Sequence, residues 1–373
     1  MSSSEPRVLQ FCHGYDGPFL DCARQYAVLF EGTEYKVTTV YLTGEPREEV
    51  RQESASDEVI FLNYRSKDIR GLKLGAIRDM RRLVQGRNFR VCIAHRNKPI
   101  YVALLATRLP VIGVHHAFGD YDRPMRRLFA NRFRNRLSLL AVSNAVRDEI
   151  RSRLPAWPAE RIETLYNRID VEAVQREQID REAARDALGL PRDVWIVGNV
   201  GRLHPDKDQA TLIRGFAQAL PQLPRGSLLA IMGSGRLEGE LKHLAVSLEV
   251  QQQVRFLGQI PHGRRYFKAF DLFALTSDHE PFGMVLLEAM AAGVPLVCSD
   301  CGGGREVAGR NGRLFALRDV SGLSQALRDV AGWDAARLEA CRERQREELA
   351  QRFSDAAARR CFRLPADAAP ARP

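Results

Sequence analysis

The sequence predicts an α/β protein of two domains, each a parallel sheet covered by helices. Three observations carry this prediction. The chain has 373 residues, and at roughly 150 residues per domain that length suits two domains. Short apolar runs alternate with helical stretches, the pattern of repeated β-α-β units. The alternation pauses once, near residues 170–190, and then restarts. With 45% hydrophobic and 27% charged residues the composition is that of a globular chain, not a disordered one.

The elements follow in order. Arg7-Val-Leu-Gln-Phe-Cys12 reads as a first buried strand, followed at once by a glycine turn, His13-Gly-Tyr-Asp-Gly17-Pro18, and by helical spacing from Phe19 to Phe30. Further strands are predicted at Tyr35–Leu42, Val59–Leu62, Val91–Ala94, Val111–Val114 and Leu139–Val142. Residues 171–190 are charged and helical. A second series runs Val194–Val200, Leu228–Met232, Val254–Leu257, Leu272–Leu275, Pro295–Cys298 and Arg313–Phe315. The expected domains are 1–172 and 173–350, with a tail from Pro365 that frays. Parallel α/β domains bind ligands outside the carboxyl ends of their strands, so function is expected in the strand-to-helix loops of both halves.

Charge and cysteine narrow the class. Lys and Arg total 56 against 46 Asp and Glu, a net charge of +10. Residues 1–172 hold 28 basic and 21 acidic residues, net +7, leaving +3 for the remainder. The first half therefore carries the signal for an anionic partner. Seven scattered cysteines read as reduced thiols, and the lone Cys298-x-x-Cys301 pair lacks the further ligands of a zinc site. No metal and no bound cofactor is expected. The start, Met1-Ser-Ser-Ser-Glu-Pro, is unlike a secretory signal, and no apolar run approaches the roughly 20 residues of a membrane span, so a cytoplasmic protein is expected.

Four loops of the second half hold the chemistry. In Gly201-Arg-Leu-His-Pro-Asp-Lys-Asp208, Gly201 allows close backbone approach, and the guanidinium of Arg202 with the ammonium of Lys207 suits a diphosphate. Gly233-Ser-Gly-Arg fits nucleotide approach but equally a tight turn. The run Glu280-Pro-Phe-Gly-Met-Val-Leu-Leu-Glu288-Ala-Met-Ala-Ala-Gly-Val-Pro opens a helix near Met284, whose N-terminus is a seat for phosphate. Glu280 and Glu288 are natural acceptors for paired sugar hydroxyls, and Glu288 is the lone charge in an apolar helix. Cys301-Gly-Gly-Gly-Arg-Glu306 offers backbone amides to an anion, or serves as a hinge.

In this order and chemistry the segments GRLHPDKD, GSGR, VRFLG, EPFGMVLLEAMAAGVP and CGGGREV resemble the retaining GT-B glycosyltransferases of sequence family 4, the "group 1" transferases, lipopolysaccharide-core enzymes among them. The resemblance is close over residues 195–315 and loose before them. It implies two Rossmann-like parallel-sheet domains facing across a cleft, with residues 351–373 returning a C-terminal helix toward the first domain. It implies that Arg202 and Lys207 neutralise the donor diphosphate, that Glu288 accepts hydrogen bonds from the ribose, and that Glu280 lies against donor-sugar hydroxyls. Backbone amides of Phe282, Gly283 and Met284 would bind donor sugar or phosphate. Gly258 and Ile260 would line the base pocket. Asn167-Arg-Ile-Asp170 stands where the family has Asn-Gly-Ile-Asp. Gly17 belongs to a first loop whose glycine spacing departs from the family's pair.

The first half adds His115-His116 after the strand at Val111–Val114, and His95 after Val91–Ala94. The family places a histidine facing the donor sugar at such a strand end, and His115 is favoured; Asp16 and Asp120 are acceptor-side candidates. Nine basic residues crowd Arg65–Arg90, and six Arg with no acid crowd Arg123–Arg136. In the latter, Met125, Leu128, Phe129, Phe133 and Leu137 share one helical stripe, predicting a basic amphipathic helix suited either to an anionic bilayer or to core packing.

The expected activity is thus metal-independent, retaining transfer of a hexose or N-acetylhexosamine from a nucleotide-diphosphate sugar, UDP-glucose or UDP-N-acetylglucosamine, to a glycolipid or oligosaccharide of the lipopolysaccharide core. The enzyme would sit peripherally at the inner face of the inner membrane. The alternative is a basic nucleotide- or nucleic-acid-binding protein without transferase activity, for which no nucleic-acid-binding signature is present. A dinucleotide oxidoreductase ranks last, because His13-Gly-Tyr-Asp-Gly17 lacks the G-x-G-x-x-G spacing.

Overall fold

The computed structural model describes residues 5–364. The chain forms two compact units, one running to Asn167 and resuming at Asp355, the other Arg168–Ser354. The division thus falls at 167/168 and 354/355, where the sequence pattern places it at 172/173 and 350/351. At the first junction Asp170 caps the helix Val171–Glu177 by accepting from the Ala173 N–H, and residues 168–170 go with that helix into the second unit. The expected frayed tail from Pro365 lies outside the described residues.

The first unit holds a seven-stranded sheet: β1 Arg7–Cys12, β2 Lys36–Tyr41, β3 Glu58–Phe61, β4 Phe89–His95, β5 Val111–His115, β6 Leu137–Ala141 and β7 Ile162–Thr164. The strand order is β3-β2-β1-β4-β5-β6-β7 and every pairing is parallel. All five residues of β5 are buried, as a strand covered on both faces requires. The helix Asp355–Cys361 packs within this unit, with Arg24 Nη1 3.0 Å from Asp355 Oδ2 and Arg359 donating to Glu31 at 2.6 Å.

The second unit holds six strands: β8 Ile196–Val200, β9 Leu228–Met232, β10 Val254–Gly258, β11 Leu272–Leu275, β12 Leu296–Ser299 and β13 Gly312–Phe315. They are ordered β10-β9-β8-β11-β12-β13, again all parallel. On one face of the sheet Leu212, Ile213 and Phe216 of the helix Gln209–Ala219 join Leu323 and Leu327 in a fully buried core. In each sheet the order reverses once, between β1 and β4 and between β8 and β11. At such a point two neighbouring crossovers leave in opposite directions and open a crevice at the strand ends.

The basic helix spans only Pro124–Arg132. Leu137, expected on its apolar stripe, instead belongs to β6 and is 1% exposed.

Candidate active site

The reversal in the second sheet sets the Gly201–Asp208 loop beside the Thr276–Gly283 loop. Three bonds tie them: Thr276 Oγ1 donates to the Lys207 carbonyl at 3.0 Å, the Asp278 N–H to the Asp206 carbonyl at 3.1 Å, and Lys207 Nζ to Glu280 Oε2 at 2.7 Å. Ser277 Oγ donates to the same carboxylate oxygen at 3.0 Å, and Glu280 is only 6% exposed. A carboxylate so buried requires a compensating cation and donors, and it has both.

The loop after β12 closes around this pair. The Gly303 N–H donates to the Glu280 carbonyl at 2.8 Å, and Cys301 Sγ to the Ser277 carbonyl at 2.9 Å. A Cβ on Gly303 would stand 2.4 Å from the Pro281 oxygen and 2.6 Å from Phe282 Cα. The glycine run therefore serves close packing of two backbones. Cys298 is likewise buried, its Sγ donating to the Ser299 carbonyl at 3.3 Å, and burial pushes its thiol pKa well up.

Gly283, at φ +95°, turns the chain into the helix Met284–Ala291, and no side chain hydrogen-bonds at that N-cap. Phe282 puts its ring into the core, 2% exposed and 5.8 Å from the Phe353 ring, leaving its backbone to the loop. Met284 and Glu288 are half-buried, Glu288 one turn into the helix between the buried Leu287 and Ala289.

The other predicted residues are placed as follows. Arg202 is set apart from Lys207: its side chain is 73% exposed and reaches only Asp206, at 3.5 Å. The backbone of Gly201 donates to the Met232 carbonyl at 3.0 Å. Gly233 is needed for packing rather than approach, since a Cβ there would fall 1.9 Å from the Gly201 oxygen. Its N–H donates to the Gly258 carbonyl at 2.8 Å. Gly258 itself faces open space and Ile260 is half-buried. Sequence reasoning misses Thr276, Ser277 and Asp206, which tie the site together. The available signal is two hydroxyl residues directly after a wholly apolar strand.

In the first unit the histidine favoured from sequence lies inside the protein. His115 is fully buried; its Nδ1 lies 2.6 Å from Asp120 Oδ2 and its Nε2 3.2 Å from the Tyr121 hydroxyl. Both ring nitrogens are engaged by side chains of the same unit. Asp120 is equally occupied, by His115, by Arg126 at 3.2 Å and by Asn97; burial works to raise its pKa, but these partners hold it low. The neighbouring His116 is partly accessible, with Nε2 3.1 Å from His95 Nδ1 and Nδ1 3.8 Å from Cys22 Sγ. Burial, then His115 and Arg96, push the His116 pKa down to about 3. His13, after β1, is lowered to about 4 by burial and then by Arg96 and Lys98. Three neutral imidazoles thus cluster at the ends of β1, β4 and β5. Gly17 is exposed with φ +59°, and Asp16 beside it is exposed.

Two doubly wound parallel-sheet units, each with its polar residues at the sheet reversal, define the GT-B class of fold. Solved structures share it: a glycosyltransferase from Rickettsia africae ESF-5 (TM-score 0.82, 14% identity, 96% of this chain and 97% of that one). So does Anabaena Alr3699/HepE in complex with UDP and glucose (TM-score 0.75, 20% identity, 95% and 97%). Residues 27–173 match the family described as "Glycosyltransferase Family 4" and residues 180–348 that described as "Glycosyl transferases group 1". The lipopolysaccharide core biosynthesis glycosyltransferase LpsE of Rhizobium meliloti is 33% identical over 172 residues, 46% of this chain and 49% of LpsE. The chain spans about half the length of the curated relatives it matches. With both halves matched, the chain belongs to the group 1, family 4 glycosyltransferases.

Proposed function

We propose that the protein transfers a hexose or N-acetylhexosamine from a nucleoside diphosphate sugar to a saccharide acceptor, with retention of anomeric configuration. The observation that carries this reading is the Lys207–Glu280–Ser277 cluster at the β8/β11 reversal, beside the uncapped helix start at Gly283. As the glycosidic bond breaks, charge accumulates on the leaving diphosphate. A fixed cation and a helix N-terminus stabilise that charge without reorganising, and groups so preorganised usually accelerate such reactions more than any other effect. Glu280, clamped by Lys207 and Ser277, is positioned to accept from sugar hydroxyls, and Glu288 from ribose hydroxyls. Arg202 joins the diphosphate by swinging from Asp206, a small motion for a side chain so exposed. This chemistry needs no metal. His116, partly accessible and with its pKa far below neutrality, is the neutral imidazole we favour beside His115 for a sugar hydroxyl.

For the donor we favour a UDP-linked glucose or N-acetylglucosamine, which the UDP and glucose bound to the Anabaena neighbour support. For the acceptor we favour the lipopolysaccharide core, supported by the relationship to LpsE. Among the described residues no helix is long and apolar enough to cross a membrane. The proposed location is peripheral, at the inner face of the inner membrane. The test is a thermal-shift screen with UDP, GDP, ADP and NAD, followed by transfer assays on truncated core acceptors. Stabilisation by UDP alone is expected; stabilisation by NAD, or salt-sensitive nucleic-acid binding without any nucleotide effect, overturns the reading.

A further inference from the structure

At the ends of β4 and β5 two imidazoles share one hydrogen bond. His95 Nδ1 and His116 Nε2 are 3.1 Å apart. The rings are inclined by only 17° and their centres are 5.4 Å apart. That separation is the nitrogen-to-nitrogen distance plus the two ring radii. The rings therefore meet edge to edge in one plane instead of stacking, and the N–H between them points straight at its acceptor. Both rings are neutral at ordinary pH, because burial above all holds their pKa values far below it. A neutral imidazole carries one proton, so the direction of this bond fixes the tautomer of both rings at once. If His95 donates, each ring has its proton on Nδ1. If His116 donates, each has it on Nε2.

The two outer nitrogens decide between these arrangements. His95 is 3% exposed, and its buried Nε2 has no hydrogen-bond partner among the described residues. The Tyr26 ring stands perpendicular to the His95 ring, with 4.8 Å between centres. A proton on His95 Nε2 would be a buried donor with at most an aromatic ring to meet, and that bond is weak. Buried donors without a partner are rarer than buried acceptors without one. His116 Nδ1 is better placed to carry a proton. It lies 3.8 Å from Cys22 Sγ, a weak acceptor, in a ring that is partly accessible.

We propose that His95 donates from Nδ1 to His116 Nε2 and thereby fixes His116 as the tautomer protonated on Nδ1. His95 is then a positioning residue, buried beneath the ring it orients. His116 presents a fixed N–H and no lone pair, and a sugar hydroxyl oxygen takes the place of the weak thiol partner. With the bond reversed, the one proton of His116 would be spent on His95 and the ring would offer only a lone pair. This deepens the reading of His116 given above and rests on that reading for its functional consequence; the direction of the bond does not depend on it.

The experiment is a long-range 1H–15N spectrum of the full chain, labelled with 15N-histidine, at pH 8. His95→Asn and His116→Gln assign the two rings among the eight histidines. Both rings should show a protonated Nδ1 and a bare Nε2. His95→Asn puts an amide N–H where the Nδ1–H stood, so it should keep the His116 signature and most of kcat. His95→Phe keeps a ring but removes the donor. His116 should then lose its single tautomer, and kcat should fall about ten- to a hundredfold with little change in KM for the donor, the usual effect of removing a group that orients another residue's imidazole. Should His95→Phe not fold, the parental spectrum and His95→Asn carry the test. Three results overturn the proposal: protons on Nε2 of both rings in the parent, a His95→Asn protein as impaired as His95→Phe, or parental turnover by His95→Phe. The UDP thermal shift of both variants should be parental, because the Lys207–Glu280–Ser277 cluster is untouched. Absence of transfer by the parent with any donor would sink the transferase reading, while the spectrum would still decide the direction of the bond.

Discussion

At the scale of single residues the site depends on one buried carboxylate with two partners. Removing Lys207 leaves Glu280, 6% exposed, with only the Ser277 hydroxyl at 3.0 Å. Lys207→Ala should therefore act twice. It withdraws the cation from the leaving diphosphate, lowering kcat about 10²–10³-fold, the usual cost of one preorganised group. It also strands a charge, lowering the melting temperature in the absence of donor. Glu280→Gln keeps the volume and the hydrogen-bonding shape but removes the charge that Lys207 balances. It should lower transfer similarly while costing less stability. The check is steady-state release of nucleoside diphosphate beside thermal melts of both variants; near-parental kcat in Lys207→Ala would remove the cation from the mechanism.

At the scale of elements the site is three loops held together by close backbone approach. Gly303→Ala pushes a methyl to 2.4 Å from the Pro281 oxygen, so the loops must part or the backbone must bend. The expected loss is about 1–3 kcal/mol in equilibrium urea unfolding, together with a smaller thermal shift on adding UDP. Gly239→Ala is the matched control: its Cβ meets nothing within 4 Å and it lies in the helix Glu238–Ser247. It should gain up to about 1 kcal/mol. Most of this architecture is legible in the sequence, because strands buried on both faces appear as continuous apolar runs and their loops carry the glycines and charges. The three-residue edge strand Ile162–Thr164 is not, since so short a run has no pattern to detect. Nor is the orientation of His115 and His116. A fully buried strand shows no polar alternation, so nothing local says which ring turns into the protein and which toward its surface. The end of the basic helix is hidden for a related reason: Leu137 continues the apolar stripe by spacing, yet pairs in register with Val111 as a strand residue.

For the molecule as a whole, the three clustered imidazoles make stability depend on pH in a window set by their shifts. In the folded first unit the pKa of His116 is about 3 and that of His13 about 4, while His95 is pushed well below its usual value by burial and then by His116. In the unfolded chain each returns to about 6.5. Between these values the unfolded state holds more protons than the folded one, so the stability they contribute is fully present above pH 6.5 and is lost as pH falls toward 4. Each contributes a slope of at most about 1.4 kcal/mol per pH unit. Asp120 and Asp278, whose folded pKa values are lowered, lose their contribution only below the ordinary carboxylate range, so the two effects separate on the pH axis. Trp157 makes the measurement specific to this unit. It is 7% exposed, its Nε1 donates to Asn131 at 2.7 Å, and the other two of the chain's three tryptophans, Trp195 and Trp333, lie in the second unit. In a Trp195→Phe, Trp333→Phe background, urea unfolding followed by Trp157 fluorescence should be flat from pH 8 to about 6.5 and then weaken steadily to pH 5. Adding His116→Phe should shallow that decline by about one proton's slope, whatever it does to stability at pH 8. An unchanged slope would mean that His116 takes up its proton in the folded protein at ordinary pH, and with that the neutral imidazole at the β5 end, on which its role as a sugar-hydroxyl donor rests, would be lost.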